Sequence, residues 1–145
     1  MRYDPMMVQP MREELTAIGV TELKTPEEVD AFLASKSGTT LVVVNSVCGC
    51  AAGMARPGLR MALQEGGVRP DRIGTVFAGM EIDAVERARS YFSDMPPSSP
   101  SFALFKDGQL AWFVPRHRIE GRTATDFAAD LKKMFETHCV TGAAK

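Results

Sequence analysis

Cys48 and Cys50 are separated by a single glycine and follow directly on Leu41-Val42-Val43-Val44-Asn45, a run dominated by β-branched residues. A strand that delivers a close cysteine pair to the first turn of a helix suits thiol-disulfide exchange. The unpaired N–H groups and dipole at a helix start stabilise a thiolate, which is the nucleophilic form. On a regular helix, side chains two residues apart diverge by about 160°, so a Cys48-Cys50 bond needs a non-helical turn, with Gly49 expected to supply the freedom. So small a ring is strained and easily reduced, which favours exchange over a permanent crosslink. Cys48, nearest the strand end, is the expected attacking thiolate, and Cys50 the resolving or assisting thiol.

Two other readings compete with redox chemistry. Both cysteines could be small core residues, or Cys48, Cys50, His117 and the His138-Cys139 pair could form a thiolate metal site. A second close-spaced ligand pair of the usual zinc type is missing, so no metal is expected. Cys139 is left over near the C-terminus, either incidental or a redox or dimer-linking thiol.

The 145 residues, 45% hydrophobic and 24% charged, fit one domain spanning 1–145. Seventeen basic and eighteen acidic residues leave a formal charge of -1, with no global field to attract nucleic acid or an anionic membrane. Early charges and prolines (Arg2, Asp4, Pro5, Pro10, Arg12) break any signal-peptide pattern, and no segment has the length of a membrane span. The expected location is cytoplasmic, where permanent disulfides are disfavoured.

The elements that must hold the cysteines are legible from periodicity and caps. A first helix is predicted over about Val8 to Ile18, closed by Gly19. A second starts at Thr25-Pro26-Glu27-Glu28, with Thr25 as cap, Pro26 in the first turn and Glu28 closing a capping box. Thr40 to Asn45 is a strand buried on both faces. A helix follows the cysteines to about Glu65, closed by Gly66-Gly67 and kinked at Pro57, where the freed carbonyl belongs to Gly53. Ile73 to Ala78 is a parallel strand, and Asp83 caps a helix ending near Phe92. Asp107-Gly108 joins two strands, about Phe102 to Phe105 and Leu110 to Val114, in a hairpin. A last helix covers about Thr123 to Thr137.

This order, βαβαββα after two extra N-terminal helices, with a cysteine pair at the first strand-to-helix junction and Pro100 opening the third strand, is similar to a thioredoxin fold. It implies an α/β domain with a central four-stranded mixed sheet flanked by helices. In that sheet the third strand runs antiparallel to the first, which puts Pro100 beside Cys48. The hairpin then returns Arg116, His117 and Arg118 to the same end, where fixed cations would favour a thiolate and attract a carboxylate-bearing thiol. These three could equally form a solvated turn.

Asn45-Ser46-Val47-Cys48-Gly49-Cys50-Ala51-Ala52, Arg56-Pro57, Val76-Phe77-Ala78-Gly79, Pro97-Ser98-Ser99-Pro100-Ser101, Leu104-Phe105-Lys106-Asp107-Gly108 and Arg116-His117-Arg118-Ile119-Glu120-Gly121-Arg122 resemble the bacilliredoxin family from about Tyr3 to Cys139. The resemblance implies a thioredoxin-like oxidoreductase that removes bacillithiol, a thiol carrying glucosamine and malate, from S-bacillithiolated proteins. It also implies modest disulfide isomerase activity, no cofactor beyond the thiol substrate, and a cis peptide at Pro100. The malate carboxylates give Arg116, His117 or Arg118 a reason to stand near the thiols. The implied partners are client proteins and a low-molecular-weight thiol, with a homodimer left open.

Overall fold

A computed structural model describes residues 3–64 and 67–139. Its elements run α1 (Pro5–Thr16), β1 (Thr21–Glu22), α2 (Pro26–Phe32), β2 (Thr39–Asn45), α3 (Arg56–Gln64), β3 (Arg72–Phe77), α4 (Ile82–Ser90), β4 (Ser101–Lys106), β5 (Gln109–Val114) and α5 (Ala124–His138). Five strands form one mixed sheet in the order β1-β3-β2-β4-β5. The predicted four strands are its core, and the fifth, β1, is an addition to that expectation. It pairs parallel to β3 through Thr21 and Glu22 alone, too short a segment to show an alternating pattern.

All seven residues of β2 are buried. Alternate side chains leave a strand on opposite faces, so an unbroken apolar run belongs between two covering layers. Leu41 and Val43 point toward Leu59, Phe127, Leu131 and Phe135 of α3 and α5, while Val42 and Val44 meet Val29, Val85 and Ala88 of α2 and α4. Each such side chain contributes roughly 1.5–3 kcal/mol of hydrophobic burial. Helices α3 and α5 approach closely at Gly58, where an added Cβ would stand 2.7 Å from Phe127 Cδ2.

Local chemistry sets most element ends. Thr25 Oγ1 accepts the Glu28 N–H at 3.1 Å, and Glu28 in return accepts the Lys24 N–H at 2.7 Å, so the capping box closes one residue earlier than its standard form. Asp107 and Gly108 both have positive φ, 52° and 84°, as a type I′ hairpin turn requires. Helix α1 starts earlier than its apolar pattern indicates, at Pro5, because Asp4 accepts the Met6 N–H. Asp83 is not the cap of α4. Glu81 holds that position without a capping bond, its carboxylate being engaged by Arg12.

The segment after the cysteines departs most from expectation. The chain turns helical at Gly49 and passes through a π-helical turn, Ala51–Ala55, before α3. The Arg56 N–H reaches back five residues to Ala51 O. Pro57, which has no N–H to donate, follows at once, so a widened turn absorbs the lost bond at the position of the expected kink. Of the predicted closing pair Gly66-Gly67, Gly66 lies outside the described residues and Gly67 has a positive φ of 86°. Among the described residues, no helix is long and apolar enough to cross a membrane.

Candidate active site

Strand β2 ends at Asn45, and the three residues beyond it form a loop braced by its own side chains. Asn45 Oδ1 accepts the Ser46 N–H at 2.8 Å, and Ser46 Oγ accepts the Cys48 N–H at 3.2 Å. Behind the loop lies Arg56, 3% exposed. Its Nη1 donates to Asn45 Oδ1 at 3.0 Å and to Ser46 O at 2.7 Å, and its Nε pairs with Glu14 of α1 at 2.9 Å. A buried guanidinium is tolerable where its donors and charge are matched in this way. Arg56 therefore ties the loop to two helices. In the sequence it carries no role beyond the family resemblance; its position just ahead of a helix proline is the signal that could have found it.

Cys48 sits at the N-cap of the helix, with its carbonyl accepting the N–H groups of Ala51 and Ala52, both at 3.1 Å. Cys50 lies within the first turn, 7% exposed. The two sulfurs are 2.8 Å apart. The turn that joins them comes from leaving Cys48 outside the helix. Gly49 itself is helical, its φ is not in the left-handed region, and an added Cβ there would meet nothing within 4 Å. This is the conformation of the free-thiol pair, and the glycine leaves open space beside it.

The two thiols differ in acidity. Burial opposes the Cys48 thiolate, but hydrogen bonds from the Cys50 thiol, the Ser46 hydroxyl and the backbone N–H groups of Ala51 and Cys50 outweigh it and hold its pKa below the ordinary thiol value. Burial pushes Cys50 up, and the neighbouring Cys48 sulfur adds to the rise. A proton shared by this pair therefore resides on Cys50.

Pro100 is buried and follows a cis Ser99-Pro100 bond. Val44 pairs with Ser101 across the antiparallel β2-β4 register, which puts Pro100 beside Asn45 at the cysteine end of the sheet. Of the three basic residues, the structure brings Arg116 to the thiols. Attraction to Cys48 and Cys50 raises its pKa, and it pairs with Glu120 at 3.3 Å. His117 and Arg118 instead line a neighbouring groove of about 380 Å³ with Pro97, Ser98, Phe113 and Pro115.

Cys139 takes no part. It lies beside Thr39, Asp71 and Lys106, and burial holds its pKa up. Thr39 begins the strand that Asn45 ends, so about 20 Å of β2 separate it from the redox loop at roughly 3.3 Å per residue. The alternative metal set is split by that distance. Among the described residues, no group of three or more His, Cys, Asp or Glu is assembled to hold a metal.

Solved structures of thioredoxins share the fold. One is thioredoxin from Fasciola hepatica, 18% identical over 82% of this chain and 99% of its own, with a TM-score of 0.54. A second is the oxidized form of mitochondrial thioredoxin 3 from Saccharomyces cerevisiae, 18% identical over 86% of this chain and 98% of its own, with a TM-score of 0.54. Closer relatives are named bacilliredoxin. The protein from Salinibacter ruber is 54% identical over 96% of this chain and 82% of its own length. That from Cytophaga hutchinsonii is 52% identical over 92% and 98%, and that from Bacillus cereus 50% identical over 94% and 95%. Residues 3–139 also match the family described as Disulphide isomerase. With that match running almost end to end, and relatives at half or more of aligned positions identical, the chain belongs to the bacilliredoxin family of thiol-disulfide oxidoreductases.

Proposed function

We propose that the protein releases a low-molecular-weight thiol from protein mixed disulfides, with bacillithiol as that thiol and the cytoplasm as the place of action. The observation that carries this reading is the unequal sulfur pair, an acidic Cys48 within 2.8 Å of a protonated Cys50. The Cys48 thiolate attacks the small-thiol sulfur of the mixed disulfide. That S–S bond breaks, the client leaves as a thiolate and takes a proton from solvent, and a new bond joins Cys48 to the small thiol. Cys50, once deprotonated, attacks the Cys48 sulfur, expels the small thiol and leaves a Cys48-Cys50 disulfide. An external dithiol or thiol must then reduce that disulfide. No metal or organic cofactor enters these steps, and Arg116 supplies positive charge for an anionic thiol.

Disulfide isomerisation is the second reading, favoured by the description of the matching family. It uses the same attack by Cys48, with a client cysteine in place of Cys50 as the resolving nucleophile. One experiment separates the readings. A client carrying a bacillithiol mixed disulfide is treated with wild type, Cys48→Ala and Cys50→Ala, and adducts are mapped by mass spectrometry. The proposal expects no release by Cys48→Ala and a bacillithiol adduct trapped on Cys48 in Cys50→Ala. Full release by Cys48→Ala, or a trapped client in place of the small thiol, overturns it.

A further inference from the structure

We propose that Arg89 and the groove beside it hold the carboxylate of the small thiol while its sulfur is at Cys48. This assignment rests on the mixed-disulfide reading above and extends it to a binding site on α4.

The starting observation is an arginine without a counter-charge. Arg12 binds Glu22 and Glu81, Arg56 binds Glu14, Arg87 binds Asp30, Arg116 binds Glu120 and Arg122 binds Asp130. Arg89 has no carboxylate partner among the described residues. Its Nη2 donates to Ser98 O at 3.2 Å, and its Nε is buried with no hydrogen-bond partner. Burial accordingly lowers its pKa. A half-buried guanidinium with unmatched charge is destabilising until an anion joins it.

Space for that anion lies alongside. Ile82, Val85, Glu86 and Arg89 fall on one face of α4 and, with Gly79, line a groove of about 210 Å³. Two hydrogen bonds link the residues around the groove to segments beside the redox loop. In one, the Ala78 N–H donates to Asn45 O at 3.0 Å, so Gly79 stands next to the strand end from which the Cys48 loop departs. The other is the Arg89 bond to Ser98 O; Ser98 lies two residues before Pro100, and its hydroxyl accepts the Arg116 N–H at 3.3 Å. Arg89 is thus bonded to the same segment that positions Arg116 near the sulfurs. The apolar wall of Ile82 and Val85 suits a short carbon chain between sulfur and carboxylate. Glu86 puts one negative charge on the groove, which disfavours a polyanion and suits a ligand whose carboxylate is accompanied by amino or hydroxyl groups.

The test compares two mixed disulfides of one client, made with 3-mercaptopropionate and with 2-mercaptoethanol, which differ chiefly in a carboxylate against a hydroxyl. Wild type is expected to release 3-mercaptopropionate with at least fivefold higher kcat/KM, through KM. Arg89→Gln should lose that preference while keeping its rate on the 2-mercaptoethanol adduct, and Arg89→Lys should retain part of it. A preference equal in wild type and Arg89→Gln overturns the assignment. A second readout does not depend on turnover: propionate, a monocarboxylate, at millimolar concentration should raise the melting temperature of wild type and not that of Arg89→Gln. If wild type releases neither thiol, the proposed reaction falls, and the propionate titration still decides the groove: stabilisation confined to wild type upholds it, and equal response in both proteins refutes it.

Discussion

Replacing Arg56 by methionine tests the brace behind the redox loop. The change removes two buried bonds, to Asn45 Oδ1 and Ser46 O, and one ion pair to Glu14. Asn45 Oδ1 keeps the Ser46 N–H, whereas Ser46 O loses the guanidinium. Hydrogen bonds from a charged donor contribute about 1.5–3 kcal/mol each, and an unsatisfied buried carbonyl costs about 1–3 kcal/mol. The Glu14 side chain is 37% exposed and rehydrates, so its share is below about 1 kcal/mol. Methionine regains part of the loss by burying its chain, leaving a net destabilisation of roughly 2–4 kcal/mol. At about 3 °C per kcal/mol for a chain of this size, the melting temperature should fall by roughly 6–12 °C. Thermal and urea unfolding followed by circular dichroism measure this. Glu14→Gln, which leaves both buried bonds intact, should lower it by less than about 3 °C. Two variants with equal effects, or Arg56→Met melting within about 2 °C of wild type, would refute the reasoning.

Because Cys48 titrates below the ordinary thiol range and Cys50 and Cys139 above it, alkylation by iodoacetamide should appear first at Cys48 as pH rises; peptide mapping that finds Cys50 modified first contradicts the assignment. Ser46→Ala removes a hydroxyl that stabilises the Cys48 thiolate, so the pH profile of that alkylation should move upward, and an unmoved profile would show the hydroxyl to be a bystander. Gly58→Ala places a methyl 2.7 Å from Phe127 Cδ2 and should cost about 1–3 kcal/mol in urea unfolding with an unchanged alkylation profile; an unaffected midpoint would mean that α5 yields freely.

What could be read in advance was what neighbouring residues decide among themselves. Thr25 and Glu28 are three apart, Asp107 and Gly108 adjacent, and the β2 run contiguous, so cap, turn and central strand were all visible in short windows. The Cys48-Cys50 pair belongs to this class. Arg12 and Arg56 do not, because each looks like a surface charge until its partner arrives from afar: Glu81 is 69 residues from Arg12, and Glu14 is 42 from Arg56. The basic run 116–118 read as a unit, yet a 3-10 turn sends its members in different directions, leaving Arg116 to act on the thiols. Strand β1 was invisible because two residues carry no period, and the π-helical turn because a spacing of apolar residues does not distinguish four from five residues between bonded groups.

That widened turn also sets the phase between chemistry and core. Each residue in a helix adds about 100° of rotation. The extra residue taken up between Ala51 and Ala55 therefore fixes the rotational offset at which α3 begins relative to Cys50. With this offset, Leu59, Ala62 and Leu63 face inward at the same time as Arg56 meets Asn45 and Ser46. The segment behaves as a gear tooth between two wheels. Losing one residue there would regularise the helix yet rotate one side out of mesh, forcing a choice between packing α3 and bracing the sulfur loop.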